Sequence, residues 1–410
     1  MNRLVLAEEQ FLKKVKILTL WVIIGQLLTA FVGRSLSPLM IYIGSDLSLN
    51  KVQLGLLPTA LFIGQFIGTL PIGFLVDKKS VRKVILIIML VVGGAFFLFS
   101  WSNIFIVSFV AIMMAGIGYG GMHPSTNKAI VQMYPNAKVS LPMGLKQMSI
   151  TLGSSGASLI LIPIAILFGW RVALSLAVIL LIIFSLLLYR KLAILEELPS
   201  TSKSSKSIVS QIGPLVKNKS LLFTTGSAFL LMGIQVTFNT YLIIYLYEIK
   251  EWSIYSAGIC LAISELGGAA GRVLWGIISD RLFRQNRWVV LILITMQSIL
   301  LFYLLHIVFS AALIILIVVS IGFSLSGFNG VWMSLAVESV EPEQSGTASG
   351  FSVMFASVGV MIIPPIFGFF VDLSGYVAAG SFIIISLTLC FVILVLANFI
   401  TNRKRNVESL

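Results

Sequence analysis

Residues 73–101 read GFLVDKKSVRKVILIIMLVVGGAFFLFSW. Asp77, Lys78, Lys79, Arg82 and Lys83 crowd one short stretch, and residues 84–101 then carry no charge at all. An α-helix rises about 1.5 Å per residue and needs about 20 residues to cross the hydrocarbon layer. In lipid only helices and closed barrels satisfy their own backbone. The stretch therefore reads as a tight basic turn at a membrane surface that opens directly into a spanning helix.

The rest of the chain repeats this grammar. Of its 410 residues 58% are hydrophobic and only 10% charged, against about 25% charged in a water-soluble domain. The mean hydropathy is +1.05. A soluble fold leaves too much surface facing water to hide that much apolar area. Apolar runs at 17–43, 52–76, 83–101, 104–130, 139–168, 170–190, 219–246, 253–277, 288–307, 310–335, 345–371 and 376–400 predict an all-α polytopic membrane protein of twelve transmembrane helices. The first run follows Lys13 and Lys14 but is too long for a signal peptide, contains Arg34 and lacks a small-residue cleavage site, so it reads as a spanning helix. Cys260 and Cys390 lie in separate apolar runs and carry no redox information.

The formal charge of +13 does not point to nucleic acid, because the cations sit in short gaps between apolar runs and form no stripe. One alternate set of connections holds Lys78, Lys79, Arg82, Lys83, Lys138, Arg190, Lys191, Lys203, Lys206, Lys217, Lys219, Arg281, Arg284 and Arg287, and both tails are basic too. The opposite set holds little beyond Lys51, Arg171 and Lys250. The positive-inside bias then places both termini in the cytoplasm of a multi-pass protein of the inner (plasma) membrane.

The chain also repeats itself. Gly73-Phe-Leu-Val-Asp77-Lys78 returns as Gly276-Ile-Ile-Ser-Asp280-Arg281 at an offset of 203; Pro135-Asn-Ala-Lys138 with Gly144 returns as Pro342-Glu-Gln-Ser345 with Gly350. Gly153 matches Gly359, and Gly169-Trp170 matches Gly375-Tyr376, at an offset of 206. Residues 191–218, rich in Ser and Lys, separate the copies. The expected organisation is two pseudo-symmetric six-helix bundles, 1–190 and 219–410, joined by a cytoplasmic linker at 191–218 and facing one another around a central cavity.

These residues carry a family resemblance. Gly73, Asp77, Lys78, Arg82 and Lys83 resemble the signature loop between the second and third helices of the major facilitator superfamily, and GRVLWGIISDR at 271–281 resembles its degenerate copy. Ser80 stands where the family most often has glycine. The resemblance implies secondary transport by alternating access, with no nucleotide site and no cofactor. GLKQMSITLGSSG (144–156), GWR (169–171), GFNGVWMSLAVE (327–338) and PPIFGFFVDLSG (364–375) resemble branches that carry organic or inorganic anions.

Several residues point to chemistry. Arg34 lies midway along the first run, where a charge is tolerated only toward a cavity or a partner. Its guanidinium suits a planar carboxylate through a bidentate fork; the competing reading is a structural ion pair. Lys146, Gln147 and Tyr119 join Arg34 as candidate substrate contacts in the first half, and Gln235, Asn239, Asn329 and Trp332 in the second. For each polar residue, helix–helix hydrogen bonding is the structural alternative. Glu265 is the only carboxylate deep within an expected span, which makes it the candidate proton carrier, with a fixed pair to Arg272 as the alternative. His123 is a candidate relay or a simple hydrogen-bond donor. Asp77, Lys78, Arg82 and Lys83, with Arg272, Asp280 and Arg281, are placed to gate the cytoplasmic side.

These features predict a proton-coupled carrier of a small organic anion, working as a monomer among membrane lipids. A proton-coupled drug or cation exporter is the main rival, and a uniporter or anion exchanger is a further alternative. The widely separated histidines and the absence of ligand-spaced Cys, His and Asp in the sequence argue against a metal or an enzyme.

Overall fold

Runs of Leu, Ile, Val and Phe without charge form helices wherever water is excluded, because only intrahelical bonds satisfy the backbone there. The computed structural model describes residues 2–134, 140–193, 213, 215–283, 286–341 and 345–408. Its helices are α1 (Asn2–Gly33), α2 (Leu36–Asp46), α3 (Lys51–Lys78), α4 (Val81–Trp101), α5 (Phe105–Met133), α6 (Ser140–Phe168) and α7 (Trp170–Lys191). They continue with α8 (Lys219–Glu248), α9 (Ile254–Arg281), α10 (Arg287–Ile307), α11 (Ala311–Leu325), α12 (Phe328–Glu338) and α13 (Ser345–Glu408). The 191–218 segment lies mostly outside the described residues, as do Pro135 to Lys138.

Among the described residues, 11 helical segments are long and apolar enough to cross a membrane, against the twelve expected. The difference lies at the end of the chain. The last segment, Ala348–Thr401, covers both of the final two expected runs. It is broken at Gly375, whose φ of 78° and ψ of −178° belong to no helix. Gly169, its counterpart at the 206-residue offset, opens α7 with φ 83° and ψ 155°. Both positions use a left-handed backbone that favours glycine, so the sequence repeat is also a repeat of local conformation.

Two expected spans are not continuous. The first is interrupted at Arg34-Ser35, between α1 and α2, and the tenth at Ser326-Gly327, between α11 and α12, where both residues keep helical dihedral angles. Ser35 Oγ donates to Val32 O at 2.6 Å and covers one of the carbonyls that the first break frees. Helix breaks at membrane depth are tolerated only where protein or a water-lined cavity surrounds them, and they supply polar groups for solutes.

The chain forms two compact units: Met1–Leu39 with Ala60–Lys203, and Met40–Thr59 with Ser204–Leu410. In the first unit α3 lies against α5 at backbone contact, since a Cβ on Gly64 would stand 1.9 Å from Met113 O. Gly64→Val forces these two backbones apart. It is expected to cost about 1–3 kcal/mol or more, read as a lower unfolding temperature in detergent. At the α6–α7 turn, Arg171 donates to Ser100 O at 2.7 Å, Ser102 O at 3.1 Å and Asn103 Oδ1 at 2.7 Å, which ties it to the α4–α5 turn.

The second unit takes in the start of α3. Asp372 accepts from the backbone N–H groups of Lys51 and Val52 at 3.2 and 3.1 Å, so its carboxylate caps that helix. Lys51 pairs with Glu248 at 2.5 Å, and Tyr376 donates to the same carboxylate at 3.0 Å. Tyr241 donates to Lys51 O at 2.6 Å and closes the set.

Candidate functional site

In the first unit the break in α1–α2 sets Arg34 at the end of a helix, half-buried, with its guanidinium 5.6 Å from the centre of the Phe62 ring. Tyr119 of α5 is buried and lies against Gly33, where a Cβ would come within 2.6 Å of its ring. Arg34 and Tyr119 therefore sit at one level of the unit. Further along α5, Lys146 from α6 is only 1% exposed. Its ammonium donates to Asn127 Oδ1 and reaches His123 O at 3.5 Å. These partners are neutral. Gln147, the next residue, is exposed. Helical geometry turns it about 100° away from Lys146.

His123 is half-buried, and its carbonyl also accepts from Thr126 Oγ1 at 3.2 Å. Lys128 donates to Val76 O at 2.6 Å, which makes it a tie between α5 and α3.

The second unit gathers its candidates into a connected polar patch. Asn239 on α8 donates to Glu265 on α9 at 2.5 Å, and Glu265 is 4% exposed. One turn earlier on α8, Gln235 donates to Ser326 Oγ at 2.9 Å and accepts from Asn329 at 3.2 Å. Arg272 donates to Ser326 O at 3.2 Å, and Asn329 to the same carbonyl at 3.0 Å. The carbonyl freed at the α11–α12 break is thus the junction of the patch. Trp332 stands apart and donates to Ser352 Oγ at 2.9 Å, which also receives Thr225 at 3.1 Å.

The basic-loop residues separate into different settings. Lys78 and Lys83 are exposed, and the side chain of Asp77 lies outside the described residues. Arg82 stacks 4.7 Å over the Tyr189 ring at the end of α7. Arg281 is exposed, while Asp280 accepts from Arg287 at 3.4 Å. Arg287 also holds Glu338, with Nη2 2.6 Å from Oε1 and Nε 2.7 Å from Oε2. Sequence reasoning did not single out Glu338 or Ser326. The signal for Glu338 was its place at the end of an apolar run; for Ser326 it was the Ser-Gly pair inside one. Among the described residues no group of three His, Cys, Asp or Glu could hold a metal ion.

The chain is 24% identical over 363 residues to the hexuronate transporter of Bacillus subtilis (strain 168), covering 84% of each chain. It is 24% identical over 373 residues to the probable hexose phosphate transport protein of Chlamydia pneumoniae, covering 82% of this chain and 80% of that one. A bacterial homolog of the human lysosomal transporter Spinster, solved inward-facing and unoccupied, has the same fold with a TM-score of 0.76 at 17% identity, covering 95% and 97% of the two chains. Residues 22–359 match the Major Facilitator Superfamily, and the chain belongs to that family.

Proposed function

We propose that this secondary transporter, working by alternating access, carries a small organic anion across the membrane together with a proton. In this reading it crosses twelve times, with Gly375 as the turn between the last two spans and both termini in the cytoplasm.

The observation that carries the anion assignment is the charge of the first unit. Arg34 and the buried Lys146 lie within its spans, while the sequence has no Asp or Glu between Glu9 and Asp46 or between Asp77 and Glu196. Arg34 offers a bidentate fork and Lys146 an ammonium, both suited to an anion. The solutes named for the two relatives, a hexuronate and a hexose phosphate, are both organic acids. Glu265 supports the proton. It is the carboxyl in the apolar depth of the second unit, where a group of this kind exchanges protons as water reaches it from alternate sides.

Arg34 and Lys146, with Tyr119, bind the acid in this reading, and the Gln235–Asn329–Ser326 patch is the second unit's polar counterpart in the sequence repeat. Arg82, Asp280, Arg281 and Arg287 hold the cytoplasmic ends in one of the two states.

Uptake of labelled D-glucuronate and of a cationic dye by proteoliposomes, with and without an inward proton gradient, tests the assignment. Gradient-stimulated uptake of the acid is the expected result. Uptake or expulsion of the dye against a proton flux, with no movement of acids, would assign an exporter instead.

A further inference from the structure

Two pairs of neighbouring cations stand at the basic-loop end of the first unit: Arg82-Lys83 opens α4, and Arg190-Lys191 ends α7. Each pair divides. Arg82 lies 4.7 Å over the Tyr189 ring, and the Lys191 ammonium lies 5.8 Å from the centre of the Trp21 ring. Lys83 and Arg190 are exposed. The positive-inside bias asks only for cations at this end of the spans; it does not choose which face of a helix bears them.

That face follows from how the two helices pack. Arg82 meets Tyr189, a Cβ on Gly93 would stand 3.0 Å from Ile182 Cγ1, and Ser100 Oγ lies 3.3 Å from Ser175 Oγ. Residue numbers rise along α4 as they fall along α7, so the pair is antiparallel along one contact line. Each residue turns a helix by about 100°, which sets Lys83 a little over a quarter-turn beyond Arg82 and Arg190 the same step beyond Tyr189. For antiparallel neighbours, equal steps forward from a shared line lead to the same side of the pair. Lys83 and Arg190 thus flank the α4–α7 seam on one side.

The rest of that side is apolar. Ile87, Val91 and Leu98 continue the face of Lys83 along α4, and Leu187, Ile183 and Leu176 continue the face of Arg190 along α7, at helical spacings of three, four and seven. All six are exposed. In spanning helices such a surface faces hydrocarbon. In the second unit the cation at the start of α10, Arg287, is neutralised by Glu338 and Asp280. Neither α4 nor α7 contains an acidic residue to do the same.

Two cations at the rim and an apolar face below them match the polarity of an anionic phospholipid, with its phosphate at the interface and its acyl chains alongside. We infer that the α4–α7 seam binds one anionic phospholipid, Lys83 and Arg190 holding the headgroup phosphate and the Ile87–Leu187 face taking the chains. Arg190 offers a planar fork to two phosphate oxygens and Lys83 a point charge. The Arg82–Tyr189 stack between them fixes the spacing of the two helix ends. The site concerns the membrane around the carrier and is independent of the solute carried.

Native mass spectrometry of the full chain released from neutral detergent, titrated with palmitoyl-oleoyl phosphatidylglycerol or the matching phosphatidylcholine, reads the affinity for each lipid. Phosphatidylglycerol is expected to bind about tenfold tighter or more. One Lys or Arg beside an anionic headgroup is worth about fivefold, so Lys83→Gln and Arg190→Gln each weaken phosphatidylglycerol by about that factor, and the double variant by about 25-fold. Phosphatidylcholine binding stays unchanged. Both positions are exposed, so the fold is retained, which an unchanged unfolding temperature in lipid-free detergent checks. Lys219→Gln, which removes a charge from the exposed start of α8, leaves phosphatidylglycerol binding as in the wild type.

Equal affinity for the two lipids overturns the site. So does an equal loss in Lys219→Gln, which would mean diffuse charge without a site. Full displacement of phosphatidylglycerol by an equal concentration of sn-glycerol 1-phosphate also overturns it, because the acyl chains would then contribute nothing.

Discussion

Arg34→Gln lowers kcat/KM for anion uptake by about 10²-fold or more. Truncating one partner of a desolvated, hydrogen-bonded charge pair costs about 2–5 kcal/mol, and every 1.4 kcal/mol is tenfold. The residue stands at the α1–α2 break, where a glutamine fits without disturbing either helix, and Phe62 stays in place beneath it. Arg34→Lys keeps the charge and loses the fork, so it falls between wild type and Arg34→Gln. Initial uptake rates in proteoliposomes at matched protein content check this order. Wild-type rates in Arg34→Gln would leave the arginine a structural role and move the acid to Lys146.

The second large effect falls on coupling. Glu265→Gln removes the carboxyl assigned to the proton in the proposed symport, yet a glutamine Oε1 still accepts from Asn239, so the contact between α8 and α9 survives. Stimulation of uptake by an inward proton gradient should fall at least tenfold. Exchange of labelled for unlabelled acid, which moves no net proton, should fall far less. A variant that still concentrates the acid under a proton gradient would mean that the proton travels elsewhere, with His123 the next group to examine.

The sequence shows the membrane spans plainly and the site only in outline, for one physical reason. A run of uncharged residues reports that a segment avoids water; it does not report what the segment packs against. The span from 83 to 101 becomes α4 with its bounds nearly unchanged. The joining of Met40–Thr59 to the second unit could not be read the same way, because chain order places it inside the first. Its cause is the capping of α3 by Asp372, a residue more than three hundred positions away.

The helix breaks show the same limit. Ser326-Gly327 is marked in its apolar run only by the Ser-Gly pair itself, and only the placement of α9 and α12 turns the Ser326 carbonyl into the partner of Arg272 and Asn329. Arg34 announced itself through cost alone: a cation in mid-span needs a use. Lys83 and Arg190 gave no such signal, since a cation at the end of a span is cheap, and their shared side is visible only once α4 and α7 are packed. The 206-residue repeat, by contrast, was legible and has a local structural counterpart in the shared left-handed φ of Gly169 and Gly375.

The most direct measurement is the internal pH of proteoliposomes after D-glucuronate is added outside with no gradient imposed. Anion–proton symport predicts internal acidification that depends on the protein and disappears in Glu265→Gln. Internal alkalinisation on adding a cationic compound, with no response to the acid, would contradict it.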